Sequence, residues 1–232
     1  MASERKTVIE LFTSQGCAKC PPADAILRKL SKRSDIVALT LPISYWDYLG
    51  WKDTLALEAN YERQQAYAKS RGDHEIYTPQ IIVNGRIHVI GSHMDQVDAA
   101  IKRANAEFSN NRVALSLANK DGVVVLHADE DTAQSGSEPR KATLWVAFFT
   151  SSIEVKVNKG ENNGQRLVYT NVVRAMTQAG QWKGEAVSYR VPIPHNTSID
   201  GCAGFLQNDK SKEILGVELI SLTSKQPLAS RF

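Results

Sequence analysis

Two cysteines at C-x-x-C spacing, Cys17 and Cys20, stand at the junction of an apolar run and an amphipathic segment, and that junction constrains the chain more than any other stretch. The run Val8-Ile9-Glu10-Leu11-Phe12 reads as a buried strand. After the cysteines, Ala23, Ile26, Leu27 and Leu30 recur at i, i+3, i+4 and i+7, one face of a helix. A disulfide needs Cα atoms about 4.4–6.8 Å apart, and residues three apart on a first helical turn lie about 5–6 Å apart. Cys17 and Cys20 can therefore pair and part with little backbone movement. The orphan N–H groups and positive dipole end of a first turn favour thiolate over thiol. Lys19 adds a positive charge between the two. Cys17, expected to be the more exposed sulfur, is assigned as the attacking thiol and Cys20 as the resolving thiol. Gln15, just before the motif, is a supporting candidate. Pro21-Pro22 leave the helix start open: Cys20 caps a helix that begins at Pro21, or Cys17 caps a first turn distorted by the prolines. A structural disulfide and a zinc half-site are the competing readings. No second C-x-x-C completes a zinc set.

Further on, Asp35 to Leu41 reads as a strand buried on both faces, stopped by Pro42 and joined to the first by a crossover long enough for a parallel pair. Tyr45-Trp46-Asp47-Tyr48-Leu49-Gly50-Trp51 fits neither helical nor strand period. It is a loop that walls the dithiol with Trp46, or one merely anchored by its aromatics. Asp47 is a candidate proton acceptor for Cys20, since a resolving thiol must lose its proton before attack; a turn cap is its other reading. Thr54 to Ser70 is helix-like and stops at Gly72. Ile81–Val83 and Ile87–Ile90 flank Asn84-Gly85, a strong hairpin signal. Pro79 opens the first of these strands. Ser92 is expected to cap a helix from Met94 to about Phe108.

The character changes at Asn110-Asn111. Closely spaced strand candidates follow: Val113–Leu117, Val123–Leu126, Leu144–Phe149, Ile153–Val157, Leu167–Val173, Val187–Val191, Cys202–Leu206 and Ile214–Leu219. They suggest an antiparallel, sandwich-like unit. Gly160-Glu161-Asn162-Asn163-Gly164 is a hairpin turn or a loop reaching towards Cys17. Cys202 reads as a buried small hydrophobe. The five histidines are scattered, with His93 nearest the Pro79 stretch.

The chain of 232 residues carries a net charge of +3, too little to argue for nucleic acid or a membrane surface. No apolar run approaches the ~20 residues of a membrane helix. No leader precedes the first strand, so the expected compartment is cytoplasmic as the chain stands, and periplasmic or exported if a leader has been removed.

The blocks together resemble an uncharacterised, thioredoxin-like family of bacterial, often exported, proteins. The resemblance rests on E-L-F-T-S-Q-G-C-x-x-C-P-P-A-D from Glu10 to Asp24 and on the Tyr45–Asp53 and Tyr77–Gln80 segments. It extends to Gly160–Leu167 and Asn171–Arg174. Where that family carries a His and an Asp before the aromatic segment, this chain has Ile43 and Ser44. The resemblance implies a thioredoxin-like α/β domain over residues 1–108 and a β-rich accessory domain over 109–232. It also implies a cis Thr78–Pro79 bond lying against the dithiol, with the Thr78 backbone presented to substrate. Gly91-Ser92-His93-Met94-Asp95 only partly matches the glutathione-binding stretch of glutaredoxins.

The expected function is thiol–disulfide exchange on a protein or small-thiol disulfide, with no cofactor and no metal. The rivals are a copper or soft-metal thiolate carrier, with Cys202 or His93 as third ligand, and a non-catalytic interaction module. Oligomeric state and direction of electron flow are left open.

Overall fold

The computed structural model describes residues 6–108, 112–132, 140–195 and 197–223. The expected break at Asn110-Asn111 lies outside the described residues. The first part of the chain runs β1 (Thr7–Thr13), α1 (Pro21–Leu30), β2 (Ile36–Pro42), α2 (Glu58–Arg71), β3 (Gln80–Val83), β4 (Ile87–Ile90) and α3 (Met94–Phe108). It continues as β5 (Leu115–Lys120), β6 (Val123–Ala128), β7 (Ala142–Lys156), β8 (Arg166–Trp182), β9 (Val187–Pro192), β10 (Gly201–Asn208) and β11 (Ile214–Ser221). The architecture is mixed α/β, and most strand pairs are antiparallel.

One eight-stranded sheet runs in the order β11-β10-β7-β8-β2-β1-β3-β4, and β5-β6-β9 form a second sheet of three strands. β1 lies inside the large sheet, parallel to β2 and antiparallel to β3. Its apolar residues alternate as a strand must. Ile9 and Leu11 face Ala23, Leu27 and Leu30 of α1 and Val97, Ile101 and Ala104 of α3. Val8 and Phe12 face the other way, into a core with Tyr67 of α2. That core also takes Ala147, Phe149, Val173, Ala203 and Phe205, so both halves of the chain share it.

Within the sheet, the backbone pairing that joins the halves is narrow. β2 and β8 run parallel but share a single register pair, Thr40 with Val172. Side chains supply what the ladder lacks: the Thr40 hydroxyl donates to the Thr170 carbonyl at 2.5 Å, and the Asn171 amide to the Ala38 carbonyl at 2.9 Å. The Asn84-Gly85 hairpin turn adds a second fastening. Asn84 and Gly85 take φ of 47° and 71°, and the Ile214 N–H donates to the Asn84 carbonyl at 3.0 Å. A Cβ on Gly85 would lie 2.0 Å from the Lys212 carbonyl oxygen, so this turn needs glycine for contact as well as for conformation.

The long strands depart from the sequence reading. Leu144–Phe149 and all of Ile153–Val157 but its last residue belong to one strand, β7, and β8 extends well past Val173. The pairing of the two strands shifts register at Leu144/Trp145 and Phe148/Phe149; such bulges bend a strand without ending it. The three-stranded sheet packs Leu117, Val124, Leu126 and Val191 against Leu144, Phe148 and Leu206 of the large one. Two helix starts also shift. α2 begins at Glu58, because the Asp53 carboxylate takes the Leu55 and Ala56 N–H groups at 2.9 and 3.1 Å in a separate turn. At α3 the first helical bond runs from Val97 N–H to the His93 carbonyl, so His93 rather than Ser92 occupies the cap position. No helix among the described residues is long and apolar enough to cross a membrane.

Candidate functional site

The two motif cysteines lie at the C-terminal end of β1, where the chain leaves the sheet. α1 starts at Pro21 with Cys20 as its cap, the first of the two alternatives that the sequence leaves open. Prolines at the first helical positions cost no hydrogen bond, because those N–H groups have no partner within the helix. The turn before it is closed by Cys17 N–H to the Ser14 carbonyl and Cys20 N–H to the Cys17 carbonyl, each 3.1 Å. Both cysteines are free thiols and both are buried, Cys17 at 3% and Cys20 at 0% exposure. Cys17 is therefore not the exposed sulfur expected from a helix start, although it is the less buried of the pair. The aromatic loop and the β7–β8 loop close over the turn.

The environment separates the two sulfurs chemically. Cys17 is held down at about 6 from an ordinary 9.0: the Cys20 thiol donates to it, and the Thr78 hydroxyl and the Lys19 and Cys20 amides add to this, against the opposing effect of burial. Cys20 is pushed far up, first by burial, then by the neighbouring Cys17 sulfur and by Asp24. These opposite shifts favour a thiolate on Cys17 and a retained proton on Cys20.

Thr78–Pro79 is a cis bond, as the resemblance implied. The Thr78 carbonyl oxygen lies 3.9 Å from the Cys17 sulfur, and the Trp46 indole N–H donates to the Thr78 hydroxyl at 2.7 Å. Trp46 thus orients a group that touches the thiolate. Gln15 is buried and braces the turn. Its N–H donates to Asp53 at 2.7 Å, and its side-chain oxygen accepts from the Trp51 indole at 2.9 Å. Lys19 is exposed and lines a groove of about 640 Å³ with Thr78, Pro79, Ile90 and His93.

Asp47 does not face Cys20. It opens a short 3₁₀ turn, Asp47–Leu49, and its carboxylate accepts from the Asp53 N–H at 3.0 Å. The carboxyl group set against the pair is Asp24, one helical turn after Cys20, which burial raises well above its usual range. Its two oxygens, the Thr13 hydroxyl and the Tyr169 hydroxyl are buried without a full hydrogen-bond partner. Tyr169 comes from β8 and lies within the electrostatic reach of Asp24 and both cysteines. A cavity of about 190 Å³ between α1 and the start of β8 reaches Asp24. The spacing of Asp24 from Cys20 was readable in the sequence; no local pattern announced Tyr169.

The Gly160–Gly164 loop does both things that the sequence left as alternatives. It connects β7 to β8, and it reaches the dithiol turn. The Asn162 amide donates to the Gln15 and Cys17 carbonyls, each at 3.0 Å, and the Ala18 N–H donates to Glu161 at 3.3 Å.

Of the two residues named as a third metal ligand, His93 lines the groove with Thr78 and Pro79, and Cys202 does not. Cys202 is buried in the core beneath the three-stranded sheet. His88 and His93 are not as unrelated as a scattered set: the four residues between them give a spacing that zinc sites use. His88, however, bonds Tyr77 at 2.9 Å, and the described residues contain no group of three or more His, Cys, Asp or Glu placed to hold a metal.

Comparison with known proteins adds a family. Residues 8–207 match the family described as a protein of unknown function, DUF1223. An X-ray crystal structure of an Agrobacterium tumefaciens protein, a structural genomics target, is 32% identical, with a TM-score of 0.82 over 98% of this chain and 99% of that one. HBP35 of Porphyromonas gingivalis is similar in fold at 13% identity, with a TM-score of 0.66 over all of this chain and 79% of that one. No curated protein matches the sequence.

Proposed function

The chain belongs to the DUF1223 family, and we propose that it is a thiol–disulfide oxidoreductase whose first half is a thioredoxin-like unit. The observation that carries the reading is the asymmetry of the pair. One sulfur is held as thiolate near neutral pH, and its partner, in hydrogen-bond contact, keeps a proton. A structural thiol in an apolar core is pushed the other way, as Cys202 is, up to about 12 by burial.

In this reading the Cys17 thiolate attacks one sulfur of a substrate disulfide. The substrate S–S bond breaks, its second sulfur leaves as a thiolate that takes a proton from solvent, and a mixed disulfide forms on Cys17. Loss of the Cys17 charge removes one of the influences that hold Cys20 protonated. Asp24, when ionised, takes the Cys20 proton, its burial-raised affinity making that carboxylate a stronger base than an exposed one. Cys20 then attacks Cys17, the first substrate sulfur is released, and the protein is left as a disulfide. Two electrons have passed to the substrate. Thr78 and Pro79 border the groove in which a protein or small-thiol disulfide would lie. The reverse sequence makes the same site an oxidant.

The test is Cys20→Ser. With the resolving sulfur gone, the reading expects a stable 1:1 mixed disulfide on Cys17 after exposure to a model disulfide, seen as a mass increase that dithiothreitol removes. No adduct at Cys17 would reject it.

Asp24 yields a second expectation. Its folded-state proton affinity is raised, so ionisation opposes folding as pH climbs above the unfolded carboxylate range near 4. Asp24→Asn should therefore stabilise the protein at pH 7 by about 1–3 kcal/mol. The gain should shrink as pH falls through 4 and vanish by about pH 3, where the carboxyl is protonated in the folded and unfolded states alike. The same variant should slow mixed-disulfide resolution. Chemical denaturation at the two pH values, with the decay rate of the mixed disulfide, checks both.

A further inference from the structure

The Cys17–Ala18 peptide unit sits in the middle of the C-x-x-C turn, and its two polar ends are both held by one loop from the far half of the chain. Asn162 donates to the Cys17 carbonyl at 3.0 Å, and its neighbour Glu161 accepts the Ala18 N–H at 3.3 Å. Asn162 also donates to the Gln15 carbonyl at 3.0 Å, so its two amide hydrogens span the start of the turn. A peptide bond is a rigid plane. Fixing its oxygen on one side and its N–H on the other leaves that plane no freedom to rotate.

Rotation would matter here because the Cys17 carbonyl also accepts the Cys20 N–H at 3.1 Å, and this turn sets the Lys19 and Cys20 amides near the Cys17 sulfur, where they favour its thiolate. Their direction depends on the dihedrals either side of the held plane. Asn162 is itself well placed to act as a fixture. It is 1% exposed, its side-chain oxygen accepts from Gln165 at 3.2 Å, and its carbonyl accepts the Gln165 N–H at 3.1 Å. The loop turns on Gly160 and Gly164, with φ of 74° and 82°, and the Gly164 N–H closes on the Val157 carbonyl at 2.8 Å. The loop is a hydrogen-bonded wall.

We propose that Asn162 is a positioning residue for the dithiol: with Glu161 it locks the Cys17–Ala18 peptide so that the Cys17–Cys20 turn holds its following amides beside the Cys17 sulfur. The second half of the chain then contributes to thiol reactivity itself, besides bordering the site. The inference rests on the oxidoreductase reading for its purpose, but its test does not require turnover.

The test is the pH profile of Cys17 alkylation by iodoacetamide in the full-length reduced protein, followed by mass spectrometry of the Cys17 peptide. Asn162→Ala should move the midpoint upward by about one pH unit, because amide donors to the thiolate are lost. The limiting rate on the high-pH plateau should stay within about twofold, since the thiolate itself is unchanged. Asn162→Ser, which keeps a polar group but cannot span both carbonyls, should shift in the same direction and serves if the alanine variant does not fold. Asn163→Ala, on an exposed neighbour, is the control and should leave the profile unmoved. An unchanged midpoint in a folded Asn162 variant would overturn the proposal. So would a change confined to the plateau rate, which would mean that the loop only shields the sulfur. If wild-type Cys17 itself titrates near 9, the oxidoreductase reading fails first, and with it the purpose of the lock.

Discussion

Cys17→Ser should reduce disulfide exchange to the uncatalysed background, with no residual activity carried by Cys20. Cys20 is fully buried and pushed far up by burial and by its neighbours, so at pH 7 it holds essentially no thiolate of its own. Lowering Cys17 from 9.0 to about 6 changes its thiolate fraction at pH 7 from roughly 1% to roughly 90%. The rate of attack does not rise by that ratio. Nucleophilicity falls with pKa at a Brønsted slope of about 0.4–0.5, which over such a shift costs about 15- to 30-fold and leaves a net gain of a few-fold. In the proposed exchange the larger benefit would come at the second step, where Cys17 is the leaving sulfur and a more acidic thiol leaves faster. Exchange by the wild-type protein should accordingly rise through a midpoint at about pH 6 and flatten above it. Stopped-flow rates with a small aromatic disulfide from pH 4.5 to 8.5 would show this. A rate still climbing at pH 8 would mean that Cys17 is an ordinary thiol.

The second large effect lies away from the sulfurs. Arg63→Ala should destabilise the fold by about 3–5 kcal/mol, because it strands the fully buried Glu10 carboxylate. Arg63 donates to both Glu10 oxygens, at 2.6 and 3.3 Å, and to Gln207 and Tyr67 at 3.1 and 2.6 Å. Tyr67 also donates to Glu10, and the guanidinium lies about 5.0 Å from the Phe205 ring centre. One cation thus ties β1 to α2 and to β10, across the two halves. Charge removal alone does not set the cost. Glu10→Leu combined with Arg63→Met should recover most of the loss, since an apolar pair can replace a buried ion pair at little net expense. Urea unfolding of both single variants and the double variant measures the coupling. A loss below about 1 kcal/mol for Arg63→Ala would show that water reaches the pair.

How much of this was legible beforehand depends on the range of the interaction. β1, α1, β2 and the Asn84-Gly85 hairpin were written in local periodicity and turn chemistry, and they form where expected. Pro21 marked the helix start once Cys20 was accepted as its cap. Asp47 misled because a carboxylate in an aromatic loop near a dithiol suits base catalysis equally well on paper. In the fold its partner is the nearby Asp53 amide, while Asp24 faces the sulfurs. β8 was cut short because Gln178, Gly180 and Gln181 lack a strand's apolar alternation, yet tertiary pairing with β7 carries it on to Trp182. Burial of Cys17, the Asn162 contacts and Tyr169 all depend on β7 and β8 returning to the first half. Nothing within a dozen residues of Asn162 encodes which carbonyls it will meet.

The central claim is that Cys17 and Cys20 form one two-electron redox unit. It is tested most directly by equilibrating the protein across a series of dithiothreitol or glutathione buffers and labelling the remaining thiols at each potential. A single reversible transition is expected, in which both cysteines lose their label together, with a tenfold change in the thiol–disulfide ratio for every ~30 mV, while Cys202 keeps its label throughout. Two cysteines that oxidise independently, or a pair that never closes reversibly, would contradict it.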